Sequence, residues 1–538
     1  MRRINCRLFV ASVVAACLIV PLAAHSALAQ ASLQIPPPHW KPCDAATGFD
    51  CATVKVPLDY AHPAAGEIEL AVIRHQAAEP GNRIGTLFFN PGGPGGAGTD
   101  DLPAWLALFP APVQARFDIV SWDPRGIGRS TAMQCFATKA DEAKFFSGVP
   151  SRWFPVGDAE IAAWNDRFAK FARICKQRNG TLLSHVSTTD SARDMDLLRQ
   201  AVGEKTMNYL GISYGTYLGA VYANLFPDHI RALILDGNID PIGWTNGGYD
   251  QAAISDGMRF GSAQGSAESL TAFLDQCGAA GAVSCPFSTG DAEGTHAKFE
   301  TLLQRVWRSP ATYHGKKVTY AGLLTGVHGL LFTTRAEPGF GGWGEAATLL
   351  EELWNNTDPK AVIPAAVSFA AATDPGAKPA PASARDDKKY ASDQQGSAVQ
   401  CGDSPNPRPP ELFRSLDRFV SASFGPIGLV DLWLDSPCAS WQAKATDRYS
   451  GPWDRPTANA ILVIGNTHDV STPYRNSVAM ARELAKARLL TVEGYGHTAL
   501  LNPSSCASQY ESDYLIGGTL PPEGTVCRQD KGPFAAAQ

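Results

Sequence analysis

Three residue types in this chain, taken together, could cleave a carbonyl compound by covalent catalysis: a serine, an aspartate and a histidine at Ser213, Asp469 and His497. A serine hydroxyl is a weak nucleophile at neutral pH. It needs a base to take its proton and an acid to orient that base. Ser213 stands in Gly211-Ile212-Ser213-Tyr214-Gly215, a G-x-S-x-G sequence. On a sharp strand-to-helix turn such a serine is pushed up where a substrate reaches its oxygen, and the glycines leave room beside it. Asp469 ends Gly465-Asn466-Thr467-His468-Asp469 and His497 ends Gly494-Tyr495-Gly496-His497, each just after an apolar stretch. Each residue also has a plainer reading. The serine motif arises often by chance, His497 is one of 11 histidines, and Asp469 could cap a helix starting near Pro473. His468 is a rival base, but as the neighbour of Asp469 it would point elsewhere. Three residues in a productive order outweigh these alternatives.

Attack on a carbonyl places negative charge on its oxygen, which preorganised N–H groups must meet. One donor is expected to be the amide of Tyr214, the residue after the nucleophile. The other is expected from Asn90-Pro91-Gly92-Gly93-Pro94-Gly95-Gly96, with Gly93 as the candidate. Its glycines let the main chain come close to a substrate.

These residues need a rigid frame. Cys51–Pro57 and Glu67–Arg74 alternate as half-buried strands. Gly85–Phe89, Phe117–Trp122, Thr206–Leu210, Arg231–Asp236, Ala460–Gly465 and Ala487–Val492 are apolar almost throughout. Such strands separated by helical stretches indicate a parallel sheet covered on both faces. Asp469 and His497 then fall on loops at its carboxyl edge, where open α/β folds bind ligands. The order Ser, Asp, His and the strand–elbow–helix setting are those of an α/β-hydrolase fold. Between Asp236 and Ala460 the character changes. Ser266–Gln276, Ala297–Val306 and Gly344–Trp354 read as helices, and Asp374–Ala384 as a Pro/Ala-rich flexible connection. The expected organisation is a signal peptide over 1–29, a hydrolase core over 30–240 and 458–538, and a large, mainly helical lid inserted over 241–457.

At 538 residues with a net charge of −6 and no Lys/Arg run, the chain offers nothing a nucleic acid would bind. Arg2, Arg3 and Arg7 precede the apolar run Leu8–Val20, and Ala27-Leu28-Ala29 has the form a signal peptidase cuts. Secretion or attachment to the cell envelope is therefore expected. Pro21 and His25 cut the run short for a stable membrane span. Val14-Ala15-Ala16-Cys17 has lipobox form, so a lipid anchor at Cys17 is the alternative. Ten cysteines remain after the leader: Cys43, Cys51, Cys135, Cys175, Cys277, Cys285, Cys401, Cys438, Cys506 and Cys527. An even number in an exported chain suggests disulfides. Pairing of neighbours is the simplest arrangement, since Cys43/Cys51 and Cys277/Cys285 would each close a short loop. Each such bridge stabilises by roughly 2–3 kcal/mol on the chain-entropy argument. No C-x-x-C pair and no cysteine–histidine spacing fits a metal, and no cofactor is expected.

Asn90–Gly96, Trp122-Asp123-Pro124-Arg125-Gly126-Ile127-Gly128-Arg129-Ser130, Ser187–Asp196 and Gly211–Thr216 resemble the secreted tripeptidyl aminopeptidases of actinomycetes, within the proline iminopeptidase group of α/β hydrolases. The stretch from Gly465 through His497 to Cys527 is similar to the C-terminal domain of that family. The resemblance spans nearly the whole mature chain. It implies a serine exopeptidase acting on peptide substrates with free N-termini, with Ser213, Asp469 and His497 as its triad. Asn90-Pro91 stands where proline iminopeptidases have a histidine. An exopeptidase must also recognise the substrate ammonium, usually with a carboxylate. Asp403 and Glu345 are the lid candidates, the bland alternative being two surface residues. A carboxylesterase or lipase would use the same machinery. A non-catalytic binding protein on this scaffold is the rival from another class.

Overall fold

Strands that are apolar along their whole length are stable only when covered on both faces. Gly85–Asn90 and Met207–Ile212 are buried at every position. The computed structural model describes residues 33, 35–147, 149, 154–245, 253–336, 341–355, 390–392 and 394–534. The expected leader over 1–29, Cys17 and the Pro/Ala-rich stretch 374–384 lie outside the described residues.

Among the described residues ten strands form one sheet. In chain order they are β1 (Lys41–Pro42), β2 (Asp50–Pro57), β3 (Glu67–His75), β4 (Gly85–Asn90), β5 (Phe117–Trp122), β6 (Met207–Ile212) and β7 (Ile230–Asp236). A small hairpin, β8 (Ala311–Tyr313) and β9 (Lys316–Val318), stands apart before β10 (Ile461–His468), β11 (Ala487–Tyr495) and β12 (Val526–Arg528). The spatial order is β1-β2-β3-β5-β4-β6-β7-β10-β11-β12. Pairings up to β3–β5 are antiparallel, and those from β5 through β12 are parallel. Every strand expected from the sequence is present, most within a residue or two of its expected ends.

The described part of the long stretch between β7 and β10 is largely helical. The pattern at Ser266–Gln276 is the middle of a helix running Ser262–Ser284. Those at Ala297–Val306 and Gly344–Trp354 lie in Ala292–Arg308 and Trp343–Asn355. Its apolar core is separate from the one built on the sheet and takes in an element from elsewhere in the chain. The helix Gly157–Asn179, between β5 and β6, buries Trp164, Phe168 and Phe171 there. The Trp164 indole donates to Ser436 Oγ at 2.8 Å, and its ring meets Trp433 edge-on.

The ten cysteines form five disulfides, each between neighbours in sequence: Cys43–Cys51, Cys135–Cys175, Cys277–Cys285, Cys401–Cys438 and Cys506–Cys527. Three of the bridges, at Cys135–Cys175, Cys277–Cys285 and Cys401–Cys438, lie in the helical core. Among the described residues no helix is long and apolar enough to cross a membrane.

Candidate active site

β6 ends at Ile212 and the helix Tyr214–Leu225 begins two residues later, so Ser213 makes the turn with φ 57° and ψ −123°. A side-chain-bearing residue seldom adopts such a φ, and it persists only where the surroundings enforce it. Here the Ser213 N–H donates to the Asp236 carbonyl at 3.0 Å, and Thr216 Oγ1 donates to the Ser213 carbonyl at 2.6 Å. The flanking glycines are a steric necessity. A Cβ on Gly211 would lie 2.3 Å from the Gly215 carbonyl oxygen, and one on Gly215 would lie 2.8 Å from that of Asn90.

The glycine loop after β4 lies against this turn. A Cβ on Gly92 would sit 2.5 Å from the Ile212 carbonyl oxygen, 2.9 Å from Ser213 Cβ and 3.2 Å from the Tyr214 nitrogen. Asn90 fixes the loop by accepting from the Gly92 N–H at 3.1 Å. The main chain of Gly92-Gly93 thus runs beside the Ser213–Tyr214 peptide. Gly93 is exposed while Gly92 is buried.

Asp469 and His497 are both buried, on the loops after β10 and β11. His497 Nδ1 lies 2.9 Å from each carboxylate oxygen of Asp469. The carboxylate also accepts from the N–H groups of Ser471 and Thr472 at 2.9 Å, from Thr472 Oγ1 at 3.1 Å and from the Thr498 N–H at 3.2 Å. Donors on several sides hold the carboxylate in a fixed orientation. His468, the rival base, is exposed, with its ring against Tyr495 and its Nδ1 at Thr467 Oγ1.

The turn after β7 joins the serine and histidine loops. The Asp236 carbonyl holds the Ser213 N–H, while its side chain accepts from the Ala499 and Leu500 N–H groups at 3.0 Å. Burial raises the Asp236 carboxyl to about 6, against the pull of those two hydrogen bonds. Gly237 beside it packs against His497 Cε1 and Thr498. The structure therefore gathers Ser213, Asp469, His497, Tyr214 and Gly93 at the carboxyl edge of the sheet.

The helical region grips the same loops. Ser262 and Ser269, on one face of their helix, donate to the carbonyls of Ser471 and His468 on either side of Asp469, and Ser266 between them, whose hydroxyl donates to Asp431 Oδ2 at 2.6 Å, lies 3.1 Å from the Val470 carbonyl. The His497 N–H donates to the Phe332 carbonyl at 2.7 Å, and the two rings meet edge-on. Sequence reasoning missed these residues, along with Thr472 and Asp236. Thr472, three residues past an acid that opens a loop, carried a recognisable signal, as did Asp236 at the end of an apolar strand. Ser262 and Phe332 carried none, because their partners lie far away in sequence.

The two carboxylates considered for the substrate ammonium part company. Glu345, half-buried, accepts from the Gly342 N–H at 2.9 Å and so caps the start of its own helix. Asp403 is buried at the end of the helix Gln394–Asp403 and contacts Thr188, which in turn contacts the Tyr214 hydroxyl.

This sheet, with a serine on its strained elbow and a buried Asp–His pair on the last loops, defines an α/β hydrolase. Residues 85–259 match the family described as alpha/beta hydrolase fold and residues 427–527 the one described as TAP-like protein. The chain belongs to the serine hydrolase and peptidase family of α/β hydrolases with a TAP-like C-terminal region. It is 32% identical to carboxylesterase B of Mycobacterium tuberculosis over 491 residues, 89% of this chain and 86% of that one. It is 29% identical to serine protease Hip1 of the same species over 515 residues, 91% of each chain. With the tripeptidyl aminopeptidase of Streptomyces lividans it shares 28% over 523 residues, 92% of this chain and 87% of the other.

Proposed function

We propose that this chain is an exported serine exopeptidase that releases short peptides, tripeptides foremost, from the free N-termini of peptides or proteins. One observation carries the chemistry: the Asp469–His497 contact of 2.9 Å, buried beside the turn that carries Ser213. In this reading Ser213 Oγ attacks the peptide carbonyl as His497 takes its proton. Asp469 holds the Nδ1 proton and orients the ring, leaving Nε2 as the base. The Tyr214 and Gly93 N–H groups receive the oxyanion. His497 then gives its proton to the leaving amine, the C–N bond breaks, and the N-terminal fragment remains as an ester on Ser213. Water, deprotonated by His497, releases it.

Residues 30–240 and 458–538 serve as the catalytic core and 241–457 as a lid that admits chain ends. Five disulfides suit an oxidising compartment, with residues 1–29 as the leader. Likeness to a tripeptidyl aminopeptidase and a serine protease over nine-tenths of the chain favours peptides as substrates. A second reading, a carboxylesterase, is favoured by the relative of that name.

Two measurements test the reading. A fluorophosphonate should label the protein and not Ser213→Ala, whose turnover should fall about a million-fold. Equal labelling of both would end the enzyme assignment. Chromogenic aminoacyl, dipeptidyl and tripeptidyl amides should then be compared with short-chain esters. Turnover of esters alone would replace the peptidase by the esterase.

A further inference from the structure

Three stretches of the helical region meet at two buried acids. Asp256 opens the helix Asp256–Phe260 and Asp435 closes the helix Leu429–Asp435, the two residues being 0% and 4% exposed. Both acids accept from the same two donors. The Gly257 N–H donates to Asp256 Oδ1 at 3.1 Å and to Asp435 Oδ2 at 3.2 Å. Gln400 Nε2, from the helix Gln394–Asp403, donates to Asp256 Oδ1 at 3.1 Å and to Asp435 Oδ1 at 2.7 Å. Oxygens that share a donor lie within about 6 Å of each other. The approach depends on a glycine, since a Cβ on Gly257 would fall 2.7 Å from Asp435 Oδ2.

The meeting point stands between the two sides of the site. Gly261 alone separates Phe260 from the helix Ser262–Ser284, whose Ser262 and Ser269 hold the Asp469 loop. Four residues before Gln400, Gly396 lies backbone to backbone on the glycine loop, where a Cβ would fall 1.9 Å from the Pro94 carbonyl oxygen.

Two carboxylates this close in a dry site resist carrying charge together, so one keeps its proton. Arg259 is the cation that acts on Asp256, but it turns its guanidinium to the carbonyls of Gly243, Trp244, Ile254 and Pro405 and to Ser404 Oγ. Asp431, on the helix of Asp435, adds negative charge, with His328 Nε2 3.4 Å beyond it. The other ionisable groups on elements packed here are engaged elsewhere. Asp417 accepts from the Trp433 indole, Asp240 from the Gly243 N–H and Asp403 from Thr188, while Arg448 donates to the Asp403 carbonyl and Arg475 to Gln264. Asp256 Oδ2 is buried and takes no hydrogen bond. Burial, and then the charge of Asp256, push the Asp435 carboxyl well above the usual carboxylate range, and burial raises Asp256 as well.

We propose that Asp256 and Asp435 share one proton and that this proton latches the helical region. When it passes to solvent, two like charges face each other between the helices Asp256–Phe260 and Leu429–Asp435. The helix Gln394–Asp403, which both acids hold through Gln400, then loosens over the glycine loop. A carboxyl kept protonated by the fold adds stability below its unfolded value and loses it as pH rises through the folded one, so the latch is closed in acid and opens in alkali. The latch itself does not need the peptidase reading, but its expected effect on turnover rests on it: selection of peptides should weaken in alkali while ester cleavage persists.

The test follows kcat/KM for a tripeptidyl chromogenic amide relative to p-nitrophenyl butyrate from pH 6 to pH 9, a ratio in which the titration of His497 cancels. The substrate amine loses its own proton near about pH 8, so the wild type is compared with Asp435→Asn at each pH. That variant keeps the shape, is neutral throughout and offers an N–H to Asp256. Across this range the ratio should fall about tenfold further in the wild type than in the variant. Equal falls would overturn the proposal. Amide hydrogen exchange of the wild type, corrected for its intrinsic pH dependence, needs no variant to fold. From pH 6 to pH 9, protection over Gln394–Asp403 should drop about tenfold further than over Met207–Ile212. Protection that stays constant over Gln394–Asp403, or falls equally in both segments, would overturn the latch. Butyrate turnover with no cleavage of any peptide would defeat the peptidase reading alone, and the exchange measurement would still decide the latch.

Discussion

The sheet edge and the helical region beside it hold the same site by different means. At the edge, the groups proposed for chemistry are fixed largely by main-chain donors and acceptors a short distance along the strands. Asp236 ties the Ser213 turn to the loop after His497, and Asp469 is surrounded by the N–H groups of its own loop. Across from it, the helical region reaches the site through side chains and single carbonyls, and its elements are pinned by disulfides and aromatic packing. The first arrangement suits groups that must hold one geometry for every substrate. The second suits a surface that differs between enzymes sharing that geometry. Damage at the edge should therefore strike all substrates alike, and damage to the helical region should separate one substrate from another.

The largest effect expected, after loss of the nucleophile itself, is at Asp469. Asp469→Asn keeps the shape but presents an amide where His497 Nδ1 needs an acceptor. It should lower kcat about ten-thousand-fold. Peptide amide and ester should fall together, measured side by side on one preparation. A loss confined to peptides would mean that this pair belongs to recognition and not to the shared chemistry.

Thr472 comes next. Its hydroxyl lies 3.1 Å from Asp469 Oδ2 and 3.3 Å from His497 Nδ1, bridging the pair. Thr472→Val removes that bridge and leaves the main-chain donors in place, so about a tenfold drop in kcat on both substrate types is expected. A split between the substrates would place Thr472 with the helical region in its effect.

The opposite pattern is expected from Cys401–Cys438, which anchors the helix Gln394–Asp403 to the 3₁₀ turn Ser436–Ala439 that follows the helix Leu429–Asp435. Replacing both cysteines by serine should lower kcat/KM for a free tripeptide about tenfold and leave ester turnover within a factor of two or three. Removing the bridge should also lower Tm, by the loss of about 3–4 kcal/mol that a loop of this size gives on the chain-entropy argument. Equal losses on both substrates would mean that this helix supports the whole site and not its selectivity.

The same division governs what could be read from the sequence. The sheet was legible because its strands are runs of apolar residues ended by glycine and proline, and local pattern alone specifies such elements. Ser213, Asp469 and His497 were legible because each follows a strand, so strand order fixed their common edge. The helical region was legible as helices but not as a structure. Its core joins Trp164, from between β5 and β6, to Trp433 some 270 residues later, and no local periodicity records that pairing. Glu345 and Asp403 looked alike as sequence, two acids of the lid. Tertiary contact separates them, one capping its own helix and the other buried against Thr188.

The smallest effect expected lies on the far side of the sheet edge, where it should leave catalysis untouched and move only stability. Glu511, in the helix Ser505–Gly517, is 4% exposed, and its carboxyl is pushed up to about 8 by burial and then by the charge of Asp236. A carboxyl whose folded value lies above its unfolded value of 4.5 binds its proton more tightly in the native state. The stability it contributes is complete below pH 4.5, declines as pH rises through that interval, and is lost once pH passes about 8. Glu511→Gln keeps a neutral group of the same shape at every pH. Its Tm should match that of the wild type near pH 5 and exceed it by a few degrees, on the order of 2–4 °C, at pH 9. Peptide and ester turnover near pH 7 should be the same in both. Parallel Tm curves would show that Glu511 reaches water in the folded protein. A change in turnover would show that the Asp236 turn passes strain from the back of the sheet to Ser213, which would join the two sides of the comparison through the one residue that holds both loops.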